Sequence, residues 1–281
     1  MRTNNEYGIG LKPIFDTFIF EIKKQRKKLY FFLGVAILVV FLVGYLLYLF
    51  PGYLLPDTQA EYFSGGLTFI EFLILFSACL FFSGIICSEF DKKTGAIVFP
   101  KINKYKLILG KYLGNLILVI FILAIYYFLL GLLGFFYYGG PINVRIFYSF
   151  GFALLYLITI SSFVTLFSSF MKNVNVTIIS TLLILLIGFT IADQIVTLIF
   201  AESFEPLYSI VYLGGLITSV LQNPFPDPRY AEVTMGPPGM GGGFTFGQWI
   251  TPSIEMGIIL LLVYIVVFFV LAAFLFKRRQ L

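Results

Sequence analysis

Six apolar runs, each about as long as a bilayer core is thick, constrain this chain more than any other feature of it. They cover residues 30–50, 67–87, 113–138, 146–170, 174–192 and 256–276. A helix needs roughly 20 apolar residues to cross the hydrocarbon core. The single charge inside any of these runs is Glu71, near one end of the second. A soluble globule could not hide them. Hydrophobic residues make up 59% of the chain and charged residues 12%, about half the charged share of a typical soluble domain. The pattern predicts an all-α integral membrane protein: one transmembrane domain over 1–281, with six transmembrane helices.

An even number of spans puts both termini on one side, and charge says which. Of the 19 basic residues, all but Arg145 and Arg229 fall in four places: the segment up to Lys28, the connection between the second and third runs, the turn at Lys172, and the C-terminus. Lys and Arg accumulate in cytoplasmic loops. The chain is therefore expected to be multi-pass in the plasma membrane, with both termini cytoplasmic. The net charge of +5 is then a topology signal. It implies anionic headgroups of membrane lipids as partners and no nucleic acid. No cleavable leader is expected, because the first apolar run follows a long charged segment and is itself a full span.

The chain has no histidine, which excludes His-dependent zinc chemistry, Ser-His-Asp catalysis and His-ligated haem. The two cysteines, Cys79 and Cys87, lie about 12 Å apart along a helix, too far for a disulfide. They read as small buried apolar side chains. No catalytic, cofactor-binding or metal-ligating residue is expected in this chain, and it is not expected to be an enzyme.

Two segments outside the runs carry pattern. In residues 11–28, Leu11, Ile14, Phe15, Phe18, Ile19 and Ile22 recur on one face of a helix. The segment is too short and too charged to span, so an amphipathic interfacial helix is predicted, turning into the first span at the basic cluster. The connection at 88–106 leaves the membrane through Glu89, Phe90, Asp91, Lys92, Lys93, Thr94 and Gly95. Gly95 suits a helix terminus. Ala96 to Phe99 are apolar, and Pro100 precedes a second basic turn. Both signs of charge beside exposed apolar residues suit a helix that presses on a soluble partner.

This order resembles the permease subunits of type-2 ABC exporters: an amphipathic helix, two spans, a Glu-x-x-x-x-x-Gly turn from Glu89 to Gly95, a Pro-containing basic segment, and Gly110-Lys111 entering the third span. The resemblance covers nearly the whole chain in topology. It implies that Glu89 to Gly95 form a cytoplasmic coupling helix docking on an ATP-binding subunit, with the 11–28 helix bracing that contact. It also implies two cytoplasmic ATPase subunits per complex, carrying the ATP and Mg, and a second permease subunit, a copy or a paralogue. No Walker motif is present in this chain. The Gly required five residues before Gly110 is Tyr105, and Tyr112 replaces the Ser or Thr. Nor does Asp91-Lys92-Lys93-Thr94-Gly95 match the phosphorylation motif of P-type pumps, since an extra lysine interrupts it.

The insertion at 194–252 is expected on the external face. Its first part is apolar but broken by Glu202, Glu205, Pro206, Gly214 and Gly215, which predicts two short re-entrant helices packed on protein in the outer leaflet. Its second part is rich in Pro and Gly and predicts an irregular loop. Trp249 stands where an interfacial anchor belongs. Glu71, Asp193 and Glu255 read as solvated span ends.

The leading functional expectation is a permease subunit exporting a hydrophobic, lipid-like or peptide substrate. A self-contained secondary transporter or channel is the alternative, and would need ionisable groups or broken helices at mid-membrane. A lipid-modifying membrane enzyme comes third, and would need clustered acids, His or Cys near an interface.

Overall fold

The computed structural model describes residues 11–49, 54–91, 103–200, 203–235 and 244–278. Six helices are long and apolar enough to cross a membrane. Spans one to six are Arg26–Gly44, Gln59–Asp91, Lys104–Tyr138, Arg145–Phe170, Val174–Phe200 and Ile254–Arg278. A seventh helix, Lys12–Lys24, precedes them.

Several helices outrun their apolar runs, and capping explains two of them. The Thr58 side chain accepts from the Glu61 amide at 3.2 Å, so span two starts at Gln59. Asn103 accepts from the Tyr105 amide at 3.0 Å, so span three starts at Lys104 and reaches 35 residues. A side-chain acceptor satisfies an orphan N–H of the first turn and carries the helix into polar residues that hydropathy leaves out. Span five runs through Asp193 to Phe200, past the expected end at Ala192.

Spans two and four are mostly buried, while spans one, five and six are mostly exposed. The core sits where spans two, three and four meet, filled by Ile74, Phe82, Ile122, Tyr126, Tyr156 and Ile160, all nearly inaccessible. Span six packs along span four, and span one along span three.

Span two is broken at Ser83, between Ile70–Phe82 and Gly84–Asp91. A broken helix leaves backbone groups that hydrocarbon cannot satisfy. Ser168 of span four satisfies them. Its hydroxyl donates to the Ser83 carbonyl at 2.6 Å and accepts from the amides of Ile86 and Cys87 at 3.1 and 3.0 Å. Span five is also irregular, with a π-helical turn at Ile184–Gly188.

At the end away from the basic clusters, two short helices, Ile210–Gly214 and Leu216–Ser219, form a cap with a β-hairpin. Gly214 meets Tyr156 of span four so closely that a Cβ would stand 3.0 Å from its ring. Tyr156 is eleven residues from the start of span four at Arg145, about 16 Å along the axis. The short helices thus pack beside the spans. The second half of the insertion differs from expectation. Strands β1, Tyr230–Met235, and β2, Phe244–Trp249, pair antiparallel with Tyr230 opposite Trp249. Aromatic and β-branched residues in the flanks favour strands, and the Gly- and Pro-rich stretch at 236–243 is the connection. That stretch lies outside the described residues.

The two basic residues that depart from the charge pattern tie down this cap. Arg145 donates to the carbonyls of Val220 and Gln222 and, at 3.0 Å, to Asn223 Oδ1. Arg229 pairs with Glu205 at 2.6 Å and lies over the Trp249 ring.

Candidate coupling site at the basic end

The site begins with two glycines spaced four apart. Gly110 and Gly114 lie on one face of span three, and the N-terminal helix crosses them. A Cβ at Gly110 would stand 2.7 Å from the Ile14 carbonyl oxygen, and one at Gly114 would stand 3.1 Å from that of Phe18. Small residues at this spacing let two helix backbones approach closely. The side of the N-terminal helix that seats there carries Thr17, Glu21 and Gln25, all buried. Glu21 is satisfied within its own segment, by Lys24 Nζ and Gln25 Nε2, each at 3.0 Å.

The apolar stripe is therefore not what grips the protein. Leu11 and Phe15 are exposed, and Ile14, Phe18, Ile19 and Ile22 are half-buried. One edge of the helix is seated on span three while much of the stripe stays open, the arrangement an interfacial helix needs if its apolar face is to enter lipid.

Between the two glycines, Lys111 points the other way, into the protein. Its ammonium pairs with the carboxylate of Glu89 on the last turns of span two. Glu89 is 8% exposed and Lys111 4%. Glu89, the first residue of the expected coupling segment, is thus buried, and its carboxylate pairs with span three. A buried pair of this kind adds little net stability when formed, but it is costly to break from one side.

Phe90 follows on the same helix and meets Phe276 of span six edge-on at 6.4 Å between ring centroids. Tyr105, at the start of span three, meets the same ring at 6.0 Å. Lys28 donates to the Leu80 carbonyl at 2.7 Å, joining the foot of span one to span two. Asp91 is exposed. Lys92, Lys93, Thr94 and Gly95 lie outside the described residues. The structure thus ties Glu89 and the seated edge of the N-terminal helix to span three, and Phe90 to span six. The arrangement can transmit force: the segment at 92–102 leaves from a helix pinned to span three and re-enters at span three itself.

Sequence reasoning missed Ser168 and the partnership of Lys111. The Gly-x-x-x-Gly spacing at 110–114 was a readable signal for the helix seat. Nothing in the sequence pairs Lys111 with Glu89, 22 residues apart, because the pairing depends on the packing of span two on span three.

The far end holds a second polar group. Of the three acids read as solvated span ends, Glu255 is exposed. Glu71 and Asp193 are not at span ends. Glu71 lies inside span two, its carboxyl against Gly214 and near Tyr156. Asp193 Oδ2 accepts from the Ser209 hydroxyl at 2.6 Å. The hydroxyl of Tyr212 donates to Glu205 at 2.9 Å. Burial, then the Asp193 charge, pushes the Tyr208 phenol up to about 12. The Tyr212 phenol is pushed up by burial and by Glu205. These contacts seat the cap on spans two, four and five. Among the described residues, no group of three or more His, Cys, Asp or Glu side chains could hold a metal ion, and Cys79 and Cys87 are free and buried.

Neither a protein-family model nor a curated protein matches this chain.

Proposed function

We propose that this chain is the membrane-embedded permease subunit of an ATP-driven exporter, of the type-2 ABC kind that its order of segments resembles. One observation carries the reading. The segment at 92–102 is bounded by two helix ends locked together through Glu89 and Lys111, and the N-terminal helix is seated on the same turns of span three. A partner pressing on that segment would move spans two and three and the interfacial helix as one body. A passive loop has no need of a buried charge pair at its base.

In this reading the basic end faces the cytoplasm of a plasma membrane. Two separate ATPase subunits dock there, bringing ATP and Mg, and this chain catalyses nothing itself. A second permease subunit, a copy or a paralogue, completes the pathway. The uncharged walls of most spans suit a hydrophobic, lipid-like or peptide substrate.

The test is copurification. The tagged full chain, extracted in mild detergent from its native cells, is expected to bring down an ATPase subunit, and the reconstituted complex to hydrolyse ATP. Recovery of a chain that carries no ATPase and still moves solute without ATP would overturn the proposal. It would support the second reading, a self-contained secondary transporter. That reading draws on the position of Glu71 within span two and on the π-helical turn in span five.

A further inference from the structure

The helices at the basic end do not close on one another. Span six packs along span four and scarcely touches span three. Aromatic side chains bridge the gap: Tyr112 meets Phe269 at 5.0 Å between ring centroids and Tyr105 meets Phe276 at 6.0 Å. Around these bridges lies a cavity of about 400 Å3, within the range of about 300–1,000 Å3 that ligand pockets occupy.

The interior of this cavity is hydrocarbon. Ile86, Ile108, Leu109, Leu113, Ala272 and Ala273 line it, and the two alanines leave room that a Leu or Phe would fill. The polar groups nearby are used elsewhere. The Tyr112 hydroxyl stands 2.7 Å from Ser161 Oγ, and the Thr165 hydroxyl donates to the Ser161 carbonyl at 2.7 Å. Leu109 and Leu113 are 46% and 37% exposed, so the cavity opens sideways between spans three and six. From Lys104 to Leu113 it follows nine residues of helix, about 14 Å.

Its end is basic. The Lys104 ammonium lies 5.3 Å from the ring centroid of Phe276, which lines the slot. Arg278 lies over Phe274 on the other face of span six. Among the described residues, Lys104 has no carboxylate partner. Cations at headgroup depth attract anionic lipid.

We propose that this slot holds one acyl chain of an anionic phospholipid, with its phosphate at Lys104. A hydrocarbon slot that runs along the helices, opens to the side and ends at a cation without a carboxylate partner matches a charged head on an apolar tail. The proposal stands independently of the ATP-driven reading.

The experiment uses the full chain with Trp249→Phe, which removes its one tryptophan, and Leu109→Trp, which places a new one at the mouth of the slot. The protein is reconstituted in phosphatidylcholine vesicles containing a minor share of phosphatidylglycerol. Either lipid carries bromine on its acyl chains as the quencher. Brominated phosphatidylglycerol is expected to quench several-fold more strongly than brominated phosphatidylcholine at equal share. That preference should vanish with Lys104→Glu, which lies at the rim, and with Ala273→Leu, which fills the slot, and should survive Arg278→Glu, on the other face of span six. A tryptophan at Val266, on the exposed face of span six, should be quenched equally by both lipids. Equal quenching at position 109 would mean ordinary surrounding lipid and would overturn the proposal. Absence of quenching by either lipid would mean that protein covers the slot, a second copy or the segment at 92–102, and would overturn it too. A preference that survives Lys104→Glu would overturn the assignment of the phosphate.

Discussion

The carboxylate of Glu89 and the ammonium of Lys111, 22 residues apart in sequence, meet as a buried ion pair that ties the last turns of span two to the second turn of span three. Glu89 compensates the burial of Lys111, which is 4% exposed. A lone ammonium there would be far from water, and its desolvation would go uncompensated.

Removing one partner is therefore expected to do more harm than removing both. Glu89→Leu alone, which leaves the Lys111 ammonium buried without its carboxylate, should lower stability by roughly 3–5 kcal/mol, and combining it with Lys111→Met should recover most of that loss. Thermal unfolding of the detergent-purified proteins gives the comparison. A double variant as unstable as the sum of its two singles would mean that the charges do not interact.

Ser168→Ala deletes one hydroxyl but orphans two backbone amides, of Ile86 and Cys87, and leaves the Ser83 carbonyl with only the Cys87 thiol at 3.0 Å. The expected cost is roughly 1–3 kcal/mol for each group left buried and unsatisfied. Amide hydrogen exchange at residues 84–91 should accelerate. Unchanged protection there would show that the break holds itself together.

Gly110→Val and Gly114→Val put side chains into the backbone of the N-terminal helix. Overpacking of this kind costs on the order of 1–3 kcal/mol. Residues 12–24 should become accessible to protease while the spans stay intact. A helix that remains protected in both variants would contradict the close seat.

The charge pattern predicts sidedness. With native Cys79 and Cys87 buried, a cysteine at Lys172 should resist a membrane-impermeant thiol reagent in intact cells, and one at Asp227 should react. The reverse labelling would invert the topology.

Alkaline pH should loosen the cap. The Tyr208 phenol stands at about 12 in the folded chain against 10 for the free group, through burial and the Asp193 charge beside it. For an acid raised on folding, the folded state binds the proton more tightly. Its contribution is complete below pH 10 and is lost as pH climbs toward 12. Emission from Trp249, on the hairpin, should shift to the red across that window, and Tyr208→Phe should weaken the shift. An emission flat to pH 12 would argue against it.

The amino-acid pattern by itself determined the number of spans, their approximate places and the existence of the N-terminal helix. Those follow from hydropathy and periodicity, which act on neighbours along the chain. The true starts of spans two and three were also local, written in Thr58 and Asn103, but in cap chemistry that a hydropathy window averages away. The Gly110–Gly114 seat was legible as a spacing, although which helix would occupy it was not. What only the tertiary structure decided was the fate of the charges. Glu89 reads as part of a docking segment because it follows an apolar run, yet the packing of span two on span three buries it against Lys111. Arg145 and Arg229 read as exceptions to a rule, yet they clamp carbonyls and a carboxylate of the cap. A charge is stable wherever its partner stands, and that position is set by the angle between helices packed from distant parts of the chain, a quantity no local pattern contains.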